Sequence, residues 1–212
     1  MRGTATEVAR ALLTIEAIGL SGDTPVTFKS GIKAPLYIDN RKLVFHPEHW
    51  RTIIVGFQKV LEAQGTIFDV VAGIETGGIP HSSALAYTMR RPSVWVRKQA
   101  KDHGLQRRVE GGDVTGKRVL LLEDQVTTGG SSLSGVMALR DAGAIVEDCV
   151  AITSYGFKEA IEAFTEAGVR LHTLTTFPVI LETAGEIGIF NARQIETIQA
   201  WLGDPRGWSE QH

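Results

Sequence analysis

Apolar residues recur along this chain with two alternating periods, and that alternation predicts its elements. VARALLTIEAIGL spaces Val8, Leu12 and Ile15 on one helical face, with Gly19 as the expected stop. PEHWRTIIVGFQKVLEAQG carries a stronger stripe of Trp50, Ile53, Ile54, Phe57, Val60 and Leu61, and Pro47 suits its first turn. IFDVVAGI is a short β-branched run that predicts a buried strand, and GGIPHSSALAYTM a turn entering a helix. SVWVRK reads as a strand, QAKDHGLQRRVEGGDVTG as a long polar loop and RVLLLED as a strand. GSSLSGVMALRDAG is then a helix, IVEDCVAITS a strand, FKEAIEAFTEAG a helix and VRLHTLTT a last core strand. The tail PVILETAGEIGIFNARQIETIQAWLGDP predicts helices packed against the core or a partner.

Strands that alternate with helices imply right-handed crossovers, hence an α/β fold with a mostly parallel sheet flanked by helices. The 212 residues suit one sizeable core, and no internal repeat or linker divides them, so a single domain is expected. The polar loop of about 18 residues is long for a compact domain, which marks it as a candidate binding loop or lid.

Composition narrows the partners. Hydrophobic residues are 43% and charged ones 22%, an ordinary globular balance. A formal net charge of -2 argues against a general nucleic-acid or membrane-surface binder. The single cysteine, Cys149, lies in the apolar run CVAI and reads as a buried core thiol suited to a reducing cytosol. The opening MRGTATEVARALL is too polar for a secretory signal, and no apolar run approaches the ~18 residues of a membrane span, so a cytoplasmic protein is expected. Two apparent motifs drop out. GGDVTGKR has Walker spacing, but Arg118 replaces the required Ser or Thr, and the segment leads into a strand. His46 and His49 have no third metal-ligand candidate nearby.

VLLLEDQVTTGGSS, Val119 to Ser132, carries the chemistry. A buried parallel strand would deliver Glu123 and Asp124 to its carboxyl end, where open α/β sheets bind ligands. The following Thr/Gly/Ser turn at a helix N-terminus suits a phosphate, because backbone N–H groups and the helix dipole converge there. Carboxylates beside such a turn are costly unless they face something else, and sugar hydroxyls or Mg²⁺ suit them. Phosphoribosyl pyrophosphate, with a phosphate, a ribose and metal-bound phosphates, meets every demand. An ordinary strand–turn–helix with acids at a polar edge is the alternative.

This stretch resembles the donor-binding motif of the type I phosphoribosyltransferases, although Gln125 replaces the usual aliphatic residue. VRKQAKDHG, Val96 to Gly104, resembles the catalytic loop of orotate phosphoribosyltransferases, and FKSGIKAPLYIDNR, Phe28 to Arg41, their N-terminal segment. With GIPHSSALA, the resemblance covers most of the chain in the right order. It implies the type I phosphoribosyltransferase fold, with hood elements over about 1–45, a core over about 46–176 and a C-terminal helical segment over about 177–212. It also implies transfer of phosphoribose to orotate, in pyrimidine biosynthesis, with Mg²⁺ bound mainly through the donor's pyrophosphate and Asp124 as a possible ligand. Arg97, Lys98, Lys101 and His103 would bind the leaving pyrophosphate. Lys29 would reach the diphosphate and frame the base pocket, with Tyr37 against the orotate ring. Glu123 and Asp124 would hold the ribose hydroxyls; Thr127, Thr128, Gly129, Gly130 and Ser131 would take the 5-phosphate. The family shares its loop between subunits, which implies a homodimer.

Two further places depart from the pattern. No arginine stands between Ile152 and Phe157, where many members meet orotate's carboxylate, leaving Arg41, Lys33 or backbone donors for that task. Glu75, Thr76 and Gly77 replace the common Tyr-Lys-Gly. A purine phosphoribosyltransferase is the near alternative, opposed by the KDHG and FKSG segments. A regulator that binds the donor without turnover is the other, and it would need a nucleic-acid-binding element that the sequence does not offer.

Overall fold

The computed structural model of the chain describes residues 2–21, 24–28, 30–99 and 108–212. In chain order its elements are α1 (Arg2–Thr14), β1 (Ile18–Leu20), β2 (Val26–Thr27), β3 (Lys33–Ala34), β4 (Leu36–Ile38) and a 3₁₀ turn over Asn40–Phe45. Then follow α2 (Pro47–Ala63), β5 (Val70–Ile74), α3 (Gly78–Met89), β6 (Ser93–Val96) and β7 (Val109–Glu110). The chain continues with β8 (Arg118–Val126), α4 (Gly130–Asp141), β9 (Ile145–Ser154), α5 (Lys158–Glu166) and β10 (Arg170–Thr176). It closes with α6 (Phe177–Glu186), α7 (Ala192–Gly203) and α8 (Pro205–Gln211). Two compact units emerge, one of Met1–Thr52 with Thr175–His212 and one of Ile53–Leu174.

The second unit is the α/β sheet that the alternating periods predict. Its six strands run in the order β10-β9-β8-β5-β6-β7. β8 pairs in parallel with β5 and β9, and β5 in parallel with β6, while the short β7 pairs antiparallel with β6. A strand flanked on both edges and both faces must be apolar throughout. Leu120, Leu121 and Leu122 accordingly have no exposed surface, and Val71, Ala72 and Val150 beside them have none either. Val136 and Leu139 of α4 and Ala160 and Phe164 of α5 close one side of this core. Cys149 is fully buried within it, as its apolar run predicts. Most of the α2 stripe is buried too; only Trp50 is half-exposed.

In the first unit the sequence pattern misplaces one boundary. The helix ends at Thr14, not Gly19. Glu16 takes a left-handed conformation (φ 54°), its N–H donates to the Leu13 carbonyl, and the Ala17 N–H reaches back to Leu12 at 2.9 Å. Those bonds form a Schellman stop, which normally announces itself with glycine. Gly19 instead lies in β1, opposite Tyr37 of the antiparallel partner β4. The C-terminal helices are closed by local chemistry. Asn191 and Gln194 form a reciprocal capping box on α7, and Asp204 caps α8 just before Pro205. Trp201 of α7 is fully buried, stands edge-on to Phe28 at 6.0 Å, and its Nε1 donates to the Lys33 carbonyl at 2.8 Å.

Trp201 is therefore the anchor to test. Trp201→Ala should cost about 3–5 kcal/mol through the cavity it leaves. Trp201→Phe should cost about 1–3 kcal/mol, chiefly from the unsatisfied Lys33 carbonyl. Urea unfolding checks both, and a Trp201→Phe variant as stable as the wild type would remove the hydrogen bond from the account.

Candidate active site

The central strand β8 builds the site by where it stops. It runs three residues past Glu123, ending at Val126, with Glu123 opposite Ala151 and Gln125 opposite Thr153 of β9. The chain then turns through Thr127, Thr128 and Gly129 into α4. Gly129 occupies the cap position with φ 85°, a conformation that side chains with a Cβ resist, and it lies against the Phe164 ring. Gly130 and Ser131 are exposed and Thr127 and Thr128 half-exposed, so the predicted phosphate turn opens to solvent at a helix N-terminus.

Glu123 and Asp124 behave differently from each other. Glu123 is only 5% exposed, and burial, then the neighbouring Asp124 charge, push its carboxyl well above the usual carboxylate range. The Asp124 N–H donates to Glu123 Oε1 at 3.2 Å, and the buried Ser132 hydroxyl donates to Oε2 at 3.4 Å. Burial thus favours the protonated form of Glu123, which lowers the negative charge beside the predicted phosphate turn. Asp124 itself is half-exposed. Its carboxyl group lies so close to Gly77 that any side chain there would strike it. The glycine pair between β5 and α3 thus brings a second helix N-terminus alongside the acids. His81, one turn into α3, is fully buried, and burial holds its pKa down to about 4 against the pull of Asp124.

Arg97 and Lys98 follow β6 directly. Lys98 is exposed, whereas the Arg97 guanidinium is ion-paired with Glu110 Oε1 of β7 at 3.3 Å. Lys101, His103 and Lys29 lie outside the described residues. Tyr37 and Arg41 belong to the first unit. There Lys42 Nζ stands 5.8 Å from the Tyr37 ring centre, and Arg41 donates to both oxygens of Asp39 at 2.6 and 3.1 Å. Arg41 thus already serves a carboxylate, which holds the Asp39 pKa below its ordinary value.

Two departures from the family pattern meet in space. Tyr155, in the stretch that lacks arginine, is buried, stacks on Phe157 at 5.4 Å, and its hydroxyl faces the Gln125 side chain. The sequence pattern assigns no role to His81 or Arg108, because each matters through a neighbour distant in sequence.

Residues 48–162 match the family model described as the phosphoribosyl transferase domain. Over 204 residues, 96% of this chain and 98% of the relative, the sequence is 39% identical to an orotate phosphoribosyltransferase of Coxiella burnetii. The structure of Leishmania donovani UMP synthase is similar with a TM-score of 0.84 and 27% identity over 95% of this chain, which spans 43% of that longer one. That of orotate phosphoribosyltransferase from Aeropyrum pernix is similar with a TM-score of 0.75 and 28% identity, covering 87% of this chain and 99% of that one.

The buried Glu123 makes a pH prediction. Its folded pKa is raised, so its contribution to stability is full below the ordinary glutamate pKa and is lost as pH rises toward the folded value. The wild type should lose melting temperature from neutral to alkaline pH, and Glu123→Gln should flatten that decline. Parallel slopes in scanning calorimetry would contradict the assignment.

Proposed function

We propose an activity from one premise: the chain belongs to the orotate phosphoribosyltransferase family. It transfers phosphoribose from 5-phosphoribosyl 1-pyrophosphate to orotate, giving orotidine 5′-monophosphate and pyrophosphate, a step of pyrimidine biosynthesis. The observation that carries the donor site is the buried strand that brings Glu123 and Asp124 to its carboxyl end beside the Gly129 turn.

In this reading Thr127, Thr128, Gly129, Gly130 and Ser131 receive the 5-phosphate through backbone and hydroxyl donors. Glu123 and Asp124 hold the ribose hydroxyls, and a protonated Glu123 both donates and accepts there. As the bond to pyrophosphate breaks, the sugar becomes oxocarbenium-like and the leaving group gathers charge. Arg97, Lys98, Lys101 and His103 are cations placed for that charge, which grows most in the transition state. Lys29 serves the diphosphate and base pocket, and Tyr37 packs on the orotate ring. Mg²⁺ is held mainly through the donor's own pyrophosphate oxygens. Asp124 is the carboxylate suited to complete its coordination. Bound Mg²⁺ supplies charge neutralisation at the departing pyrophosphate.

The working unit is a homodimer in which the loop following Lys98 serves the neighbouring subunit's site, and the setting is cytoplasmic. A single buried thiol suits a reducing compartment. Among the described residues no helix is long and apolar enough to cross a membrane.

With phosphoribosyl pyrophosphate and Mg²⁺, orotate's ultraviolet absorbance should fall while adenine, hypoxanthine and uracil stay unconsumed; turnover of another base would overturn the acceptor. Lys101→Ala should lower turnover ~100-fold or more with donor affinity little changed, as loss of a transition-state contact does. Equal losses in donor affinity and turnover would make Lys101 a ground-state contact instead. Mixing Lys101→Ala with Asp124→Asn subunits should restore part of the activity, and no recovery would place each site within one chain.

A further inference from the structure

We infer that Glu75 and Arg108 are positioning residues that hold Arg97 and Lys98 against the two anion-binding turns; the inference rests on the reading of those cations as pyrophosphate ligands. Glu75 follows β5 and precedes the Gly77–Gly78 turn, whose backbone N–H groups at the start of α3 suit a diphosphate. Its N–H donates to the Val96 carbonyl at 2.9 Å, which extends the parallel β5–β6 ladder by one rung. The next rung of that ladder would join the Lys98 N–H to the main-chain carbonyl of Glu75. Instead the Glu75 side chain takes it, and Oε2 accepts the Lys98 N–H at 3.0 Å. A carboxylate beside a diphosphate turn repels the ligand, so its presence needs a compensating role. Here that role is to pin Lys98 where the strand pairing runs out.

Arg108 acts from the other side. Its main-chain carbonyl accepts the Arg97 N–H at 2.8 Å, and its Nε donates to the Arg97 carbonyl at 2.9 Å. Both polar backbone groups of Arg97 are thus held by one residue. The same guanidinium reaches α4, where it donates to the Ser134 carbonyl at 3.1 Å and hydroxyl at 2.9 Å. α4 is the helix that begins at the 5-phosphate turn. Arg108 therefore spends its charge on protein oxygens and fixes the backbone of Arg97 relative to that turn. Together with Glu75, it sets the spacing between the cations and both anion turns, and spacing errors of an ångström are expensive in catalysis.

The test compares Glu75→Ala, Glu75→Gln and Arg108→Ala with wild type. It reads kcat, both KM values, calorimetric affinity for inorganic pyrophosphate with Mg²⁺, and melting temperature. Glu75→Ala should lower kcat and pyrophosphate affinity on the order of tenfold to a hundredfold, with the orotate KM nearly unchanged. Glu75→Gln should recover most of that loss, because its amide oxygen also accepts the Lys98 N–H. Arg108→Ala should follow Glu75→Ala in direction. Wild-type pyrophosphate affinity in both alanine variants overturns the inference, and so does a Glu75→Gln variant as impaired as Glu75→Ala. A loss spread equally over all ligands and tracking a fall in melting temperature also overturns it. If the wild type consumes no orotate, the proposed function falls, and the pyrophosphate affinities then decide the positioning role alone.

Discussion

A parallel strand buried on both faces can carry polar groups only at its end, and the site of this protein hangs on how β8 ends. Glu123 is buried near the carboxyl end of the strand, and burial there disfavours its charge. Favouring the protonated form eases the conflict between two acids and the predicted phosphate turn, since a neutral carboxyl beside an anion repels it far less than a carboxylate. Asp124, one residue further, emerges beside Gly77 and is left for the polar partner. A single strand terminus thus makes two acids of the same kind chemically distinct.

The other parts of the second unit are arranged around that terminus. Two helices, α3 and α4, start beside it after glycine turns, and each presents N–H groups and the positive end of its dipole. The cations come from the β6 side of the sheet, where β7 pairs antiparallel with β6. Three side chains contact them there: Glu110 on the Arg97 guanidinium, Glu75 on the Lys98 backbone and Arg108 on the Arg97 backbone. Such contacts are the usual means by which a rigid sheet orients groups on a connecting segment.

Acceptor recognition follows a different logic. The stretch after β9 holds a buried tyrosine, Tyr155, stacked on Phe157 and facing Gln125. Arg41, the cation expected to serve the base carboxylate, is engaged by Asp39 on two nitrogens. Recognition of a base carboxylate in this chain therefore has to share Arg41 with Asp39 or draw on other donors.

Much of this was legible in the chain itself. The α2 stripe, the VLLLED run and the glycine turn are local patterns, since helix and strand periods and turn chemistry act over a few residues, and they predicted the parallel sheet and the acids at its end. Gly19 misled because the left-handed stop of α1 is carried by Glu16, a residue type that gives no such signal. The two-residue strands β2, β3 and β7 were illegible for a related reason: they exist only through their partners. What the tertiary structure alone decided is the state of the groups. The raised Glu123 pKa, the lowered His81 pKa and the bonds from Glu75 and Arg108 all depend on burial and on neighbours far apart in sequence. Periodicity carries no record of either, because desolvation and long-range contact arise only once the sheet has closed around them.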